Sequence, residues 1–178
     1  MVPSGNSTTQ RIIFVVAGVV VLLLLGVILF TILGRSGAES REELTSVARK
    51  QSELIRVANI GATKGVDQKT RSLALTTGYS VTADNKALLD ALKKNNITLD
   101  KKDLASGKNS ATDTKLTAAE KDNNFDSAFT EELTTELNAY RAAVKTAFTN
   151  AKAKSIRTAL NNAYTDAGLI LAPSATTQ

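Results

Sequence analysis

The chain contains no cysteine, no histidine and no tryptophan, and only two prolines and one methionine. Without cysteine there are no disulfide staples, no thiolate metal sites and no thiol nucleophile, and lipoprotein anchoring is excluded too. Without histidine the commonest general base is missing, together with nearly every remaining zinc ligand set. Gly107-Lys108-Asn109 does not complete a phosphate-binding loop, which needs Gly-Lys followed by Ser or Thr four residues after an earlier glycine. Three tyrosines and five phenylalanines leave little surface for stacking on nucleic-acid bases. Catalysis is therefore not expected, and neither is a resident cofactor or metal. The remaining metal option is carboxylate-only, at Glu132 and Glu136 one helical turn apart, and a solvated acidic face is the plainer reading of that pair.

Against these absences stands one long apolar run, Ile12 to Leu33, without a charge inside it and bracketed by Arg11 and Arg35. At about 1.5 Å per residue it rises about 33 Å, enough to cross a bilayer as one helix. A signal peptide's apolar core is only about 7–15 residues, so the small residues Ser36, Gly37 and Ala38 are not expected to be a cleavage site. The expected organisation is a short tail at 1–11, a transmembrane helix at 12–33, a juxtamembrane linker at 34–39, a helical domain at 40–172 and a disordered tail at 173–178. Basic residues flank the span almost evenly. The long domain is placed outside because long domains translocate largely regardless of charge. The expected location is the cell membrane, single-pass, with the domain extracytoplasmic.

The domain reads as all-α, since strand-like alternation is almost absent. A first helix opens on a Ser40/Glu43 capping box, carries Leu44, Val47, Ala48, Leu54, Ile55 and Ala58 at helical spacing, and is closed by Gly61 and Gly65. A second runs from about Asp67 to Lys94 with Leu73, Val81, Leu88 and Leu92 on one stripe, and stops at Asn95 and Asn96. A third opens near Asn124 and places Phe125, Phe129, Leu133, Leu137, Tyr140, Val144 and Phe148 on one face. A fourth spans about Lys154 to Leu171, with Ile156, Leu160, Ala163, Ala167 and Ile170 inward. Between the second and third lies a long polar connection, Ile97 to Asn123, with a short helix at Asp113–Glu120 and a flexible tip at Ala105–Thr112. Four amphipathic helices bury their stripes most economically as an antiparallel, up-down four-helix bundle.

The stretches "LLDALKKNNITLD" and "NNFDSAFTEELTTELNAYRAAVKTAFTNAKAKSIRTALNNA" resemble a bacterial family of ferritin-like four-helix domains of unknown function. Phe125, Asp126 and Phe129 carry the likeness most clearly, and the resemblance covers about Arg41 to Ala172. It implies the bundle fold. Members typically carry histidines on the later helices. Here Thr82 and Leu137 stand at two of those places, so no metal or proton-transfer role comes over with the resemblance.

Threaded as an up-down bundle, the chain segregates its charge by height. The turns near Gly61–Asp67 and Asn150–Lys154 would share the end far from the membrane, gathering Lys64, Lys69, Arg71, Lys145, Lys152, Lys154 and Arg157. Glu39, Glu42, Glu43, Asp100, Asp103, Asp113, Glu120, Asp122 and Asp126 would crowd the membrane-proximal end. The expected function is structural or interactive, at the cell envelope; the basic distal tip is either a site that meets an anionic polymer or envelope protein or, the plainer reading of a charge run, a solvated face that serves solubility. Nucleic acid is disfavoured because no aromatics interleave the lysines. The alternative is a sensory ectodomain acting with a membrane partner.

Overall fold

The computed structural model describes residues 41–172. Among these there is no strand, and nearly all of the backbone is helical. Helix α1 occupies 41–64, α2 Gln68–Lys94, α3 Lys101–Ala105, α4 Ser110–Lys121, α5 Phe125–Asn150 and α6 Lys154–Leu171. No helix among the described residues is long and apolar enough to cross a membrane. The run Ile12–Leu33, the linker 34–39 and the tail 173–178 lie outside the described residues.

The helix ends follow local chemistry. The side chain of Asp67 accepts from the amide of Thr70 at 2.6 Å and caps α2. Asn96 and Asn123 adopt positive φ (56° and 52°), a conformation asparagine tolerates better than most residues, and each follows the end of a helix. Gly61 does not close α1, because the helix continues through it to residue 64. A Cβ at Gly61 would lie 2.2 Å from the Phe129 ring, so this glycine is the notch that admits that ring.

The connection between α2 and α5 holds more structure than expected. α4 begins at Ser110 and buries Thr112 beside Leu116 and Ala119. The expected flexible tip at Ala105–Thr112 is held down: a Cβ at Gly107 would lie 2.8 Å from the carbonyl oxygen of Arg49. α1 is consequently buried on two sides. Leu44, Val47, Ala48, Leu54 and Ala58 form one buried row, while Thr45, Glu53 and Val57 are buried beside it. Arg56 spans that second side, pairing with Glu53 of its own helix and Asp113 of α4.

The direction of α5 differs from the up-down expectation. Its first turn lies at the α1–α2 turn, where Asp126 accepts from the amides of Val66 (2.9 Å) and Asp67 (3.1 Å). Its last residue, Asn150, donates to Glu43 at 2.7 Å, at the opposite end. Midway, Gln51 Nε2 donates to the Tyr140 hydroxyl at 2.8 Å. α5 therefore runs antiparallel to α1 and in the same direction as α2, and α6 returns beside α2, with Asn95 Nδ2 donating to Ser155 Oγ at 2.9 Å. The connection climbs along α1 from Thr98, which accepts from Arg41, past Asp103 at Arg49 and Asp113 at Arg56, to Glu120 at Lys64. A simple up-down connectivity is thus replaced by one long crossover. The physical reason is that a connection able to form α3 and α4 can pack against α1 and span its length, so α5 need not start where α2 ends.

Candidate functional site

The crossover reverses α5 and α6 and so redistributes the charges. Lys64, Lys69 and Arg71 remain at the α1–α2 turn, but Lys145, Lys152, Lys154 and Arg157 move to the other end, the end that holds residue 41. The expected single tip is two separate groups. The reason is connectivity, since the residue types and helix boundaries are as expected.

At the α1–α2 turn two of the three bases are engaged by the fold. Lys64 pairs with Glu120. The Arg71 guanidinium donates to the carbonyls of Gly65, at 2.9 Å, and Val66, satisfying groups that the end of α1 leaves open. Lys69 sits in a groove lined also by Asp67, Asp126 and Glu131. Acids equal or outnumber bases here, with Asp67, Glu120, Asp122 and Asp126 around the turn.

At the residue-41 end, Arg41, Lys93 and Lys94 join Lys145, Lys152, Lys154 and Arg157. All seven are exposed, and Lys94 and Lys154 line one groove between α2 and α6 with Asp90 and Ser155. Among the acids nearby, Asp90 pairs with Lys86 at 2.7 Å, one oxygen of Glu43 accepts from Asn150 while the other has no hydrogen-bond partner, and Glu42 is exposed. Lys93, Lys94, Lys145, Lys152 and Lys154 make no ion pair with the described residues. Arg157 lies over the Phe148 ring, 4.2 Å from its centroid. Lys93 and Lys94 suit the C-terminal turn of α2, whose dipole favours cations there. Lys154 does not suit its place. It opens α6 at the positive end of that helix, where no side chain caps the first amides. A base in that position weakens the helix slightly. Arg41, Lys93 and Lys94 were not expected at this site. The signal available was the Lys93-Lys94 pair beside a turn, and it acquires meaning only when α5 and α6 are known to run back to that turn.

A second polar feature lies at mid-height, where all four long helices contribute. Gln51 of α1 donates to Tyr140 of α5 and accepts from Asn85 of α2 at 3.0 Å. Beside them Asp84 of α2 is 5% exposed, its Oδ2 has no hydrogen-bond partner, and the Asp166 carboxylate of α6 stands within hydrogen-bonding reach. Burial first, then the Asp166 charge, pushes the Asp84 carboxyl up to about 7. Burial, reinforced by the Asp84 charge, raises the Tyr140 hydroxyl above its ordinary value. Near neutral pH Asp84 therefore exchanges its proton. Composition gave no sign of it: Asp84 falls on the apolar stripe of α2, where a lone acid reads as an interruption, and its partner comes from a helix that follows the crossover.

Of the positions considered for metal and for the family's histidines, Glu132, Thr82 and Leu137 are engaged elsewhere, and Glu136 is half-buried on α5. Glu132 accepts from Thr112 Oγ1 at 3.0 Å and pairs with Lys115 at 3.1 Å, Thr82 is exposed with its hydroxyl bonded to the Gly78 carbonyl, and Leu137 is buried in the core. Among the described residues no three acidic, histidine or cysteine side chains converge as a metal ion would need. No family model, no curated protein and no solved structure matches the chain.

Proposed function

We propose that this chain is a membrane-anchored helical-bundle protein with a structural or interaction role at the cell envelope. It is held by the run Ile12–Leu33 with the bundle outside, and it engages an anionic partner through the basic end of the bundle. The observation that carries this reading is the convergence on one end of exposed bases from α2, α5 and α6 that make no ion pair with the described residues, while Lys64 and Arg71 at the other end are engaged by the fold. No catalytic residue, cofactor or metal is assigned. The one long crossover is also the connectivity of ferritin-like bundles, which supports the resemblance without bringing an activity with it.

A tag placed after Gln178 tests the orientation: external protease is expected to remove it from intact cells while the protein stays in the membrane fraction. Protection of the tag until lysis would reverse the orientation. Binding to a soluble anionic polymer should weaken several-fold, with a shallower salt dependence, in Lys152→Gln/Lys154→Gln/Arg157→Gln. Lys64→Gln/Lys69→Gln should leave it unchanged. Equal loss in both variants would remove the assignment to one end.

The second reading, a sensory ectodomain acting with a membrane partner, is favoured by the Asp84–Asp166 pair. Protonation of Asp84 beside the Asp166 carboxylate at the α2–α6 contact couples helix packing to pH near neutrality. An α2–α6 contact insensitive to pH between 5 and 8 would sink it.

A further inference from the structure

The basic end is also the end at which the chain arrives from the apolar run. Arg41 belongs to the first turn of α1, and the eight steps from Leu33 to Arg41 reach at most about 28 Å even when fully extended. The opposite end of α1 lies about 35 Å further along the helix axis. Resting on the anchored reading above, the tether keeps the end that carries Lys93, Lys94, Lys152 and Lys154 within about 28 Å of the bilayer, too short for the far end, with Lys64 and Lys69, to be presented to it end-on. From this placement we infer that the basic end docks on the anionic headgroups of the bilayer in which the same chain is anchored.

Several features fit this occupant. The bases are exposed lysines and arginines from separate elements, spread over an end of the bundle and not gathered into a pocket, as suits a surface of mobile charged headgroups. Of the acids at this end Asp90 pairs with Lys86, and Glu42 and Glu43 are outnumbered by the seven bases, so the end carries a net positive charge. Phe148, the aromatic at this end, lies beneath Arg157 and is not offered for base stacking. Tethering makes the encounter intramolecular, so headgroups reach the lysines at a high effective concentration without any pocket to select them.

The test uses the full chain in nanodiscs of zwitterionic phosphatidylcholine, or of the same lipid with about a third phosphatidylglycerol. Acetylation of each lysine is followed by mass spectrometry. Lys93, Lys94, Lys152 and Lys154 should react several-fold more slowly in the anionic discs, with Lys64 and Lys69 unchanged. The protection should vanish near 1 M salt, where the Debye length falls to about 3 Å. Equal reactivity in both discs would overturn the lipid assignment. If polyphosphate added to the neutral discs then protected the same four lysines, an anionic partner would stand while the lipid assignment fell. A chain that does not enter the discs would overturn the anchored reading, and this inference with it.

Discussion

The two ends of the bundle use the same side-chain types for opposite purposes. Where α1 turns into α2, Asp126 takes the amides of Val66 and Asp67, Arg71 takes the carbonyls of Gly65 and Val66, and Lys64 takes Glu120. Where α5 turns into α6, Lys152 and Lys154 are exposed and make no ion pair with the described residues, and the last turn of α2 adds Lys93 and Lys94 beside them. The first arrangement spends its charge on closing a turn, and the second leaves charge available. Counting bases along the chain cannot tell these apart, because only partners distinguish a structural arginine from an offered lysine.

The largest expected effect lies between the two ends and should leave both untouched. Asp84 has a folded-state value near 7 against about 3.9 in the unfolded chain, so the proton it holds stabilises the fold below pH 4. That contribution is lost as pH rises through 7. The sign is that of a raised carboxylate: stability should fall between about pH 4 and pH 7, by roughly 4 kcal/mol from this group. Asp84→Asn should flatten that slope and raise stability at pH 8, read by denaturant unfolding at a series of pH values. An unchanged slope would mean that the carboxyl is ionised throughout.

Substitutions at the paired end come next. Gly61→Ala drives a methyl into the Phe129 ring at the top of the core, and should cost about 2 kcal/mol net of the better helix propensity of alanine. Thermal unfolding would show it, and a stabilised variant would contradict the tight approach of that ring. Asp126→Ala removes two charge-assisted hydrogen bonds from the α1–α2 turn and should cost about 1.5 kcal/mol. The smallest stability effect is expected at the other end. Lys152→Gln/Lys154→Gln/Arg157→Gln should change stability by less than about 1 kcal/mol, most of it from the contact of Arg157 with Phe148, while still weakening anionic binding. If that triple variant destabilised the bundle as much as Asp126→Ala, the contrast between the ends would fail.

Much of the local structure was legible in the residues. α6 spans the expected Lys154–Leu171, α2 begins one residue after its expected start at Asp67, and Phe125, Phe129, Leu133, Leu137, Tyr140 and Val144 form the buried face of α5 as their spacing implies. These features depend on caps and period, which are local. The direction of α5 is not local. It depends on whether the connection crosses the bundle, and the residues that settle this are pairs such as Arg49 with Asp103 and Arg56 with Asp113, more than fifty positions apart. The buried pair was hidden for the same reason, with Asp84 and Asp166 on helices that only the crossover brings together. Gly61 was misread as a helix end because a glycine that stops a helix and one that admits an aromatic ring look alike until the ring is placed.

The position of the basic end rests on α5 running from the α1–α2 turn towards residue 41, and one distance measurement tests that most directly. The chain has no cysteine, so spin labels can be placed in pairs without background, at Glu42 and Lys152 in one sample and at Val66 and Lys152 in another. With α1 rising about 35 Å along its axis, the first pair should lie within about 20 Å and the second beyond about 30 Å. The reverse order would restore the up-down path, return Lys152, Lys154 and Arg157 to the side of Lys64, and contradict a basic end next to the membrane.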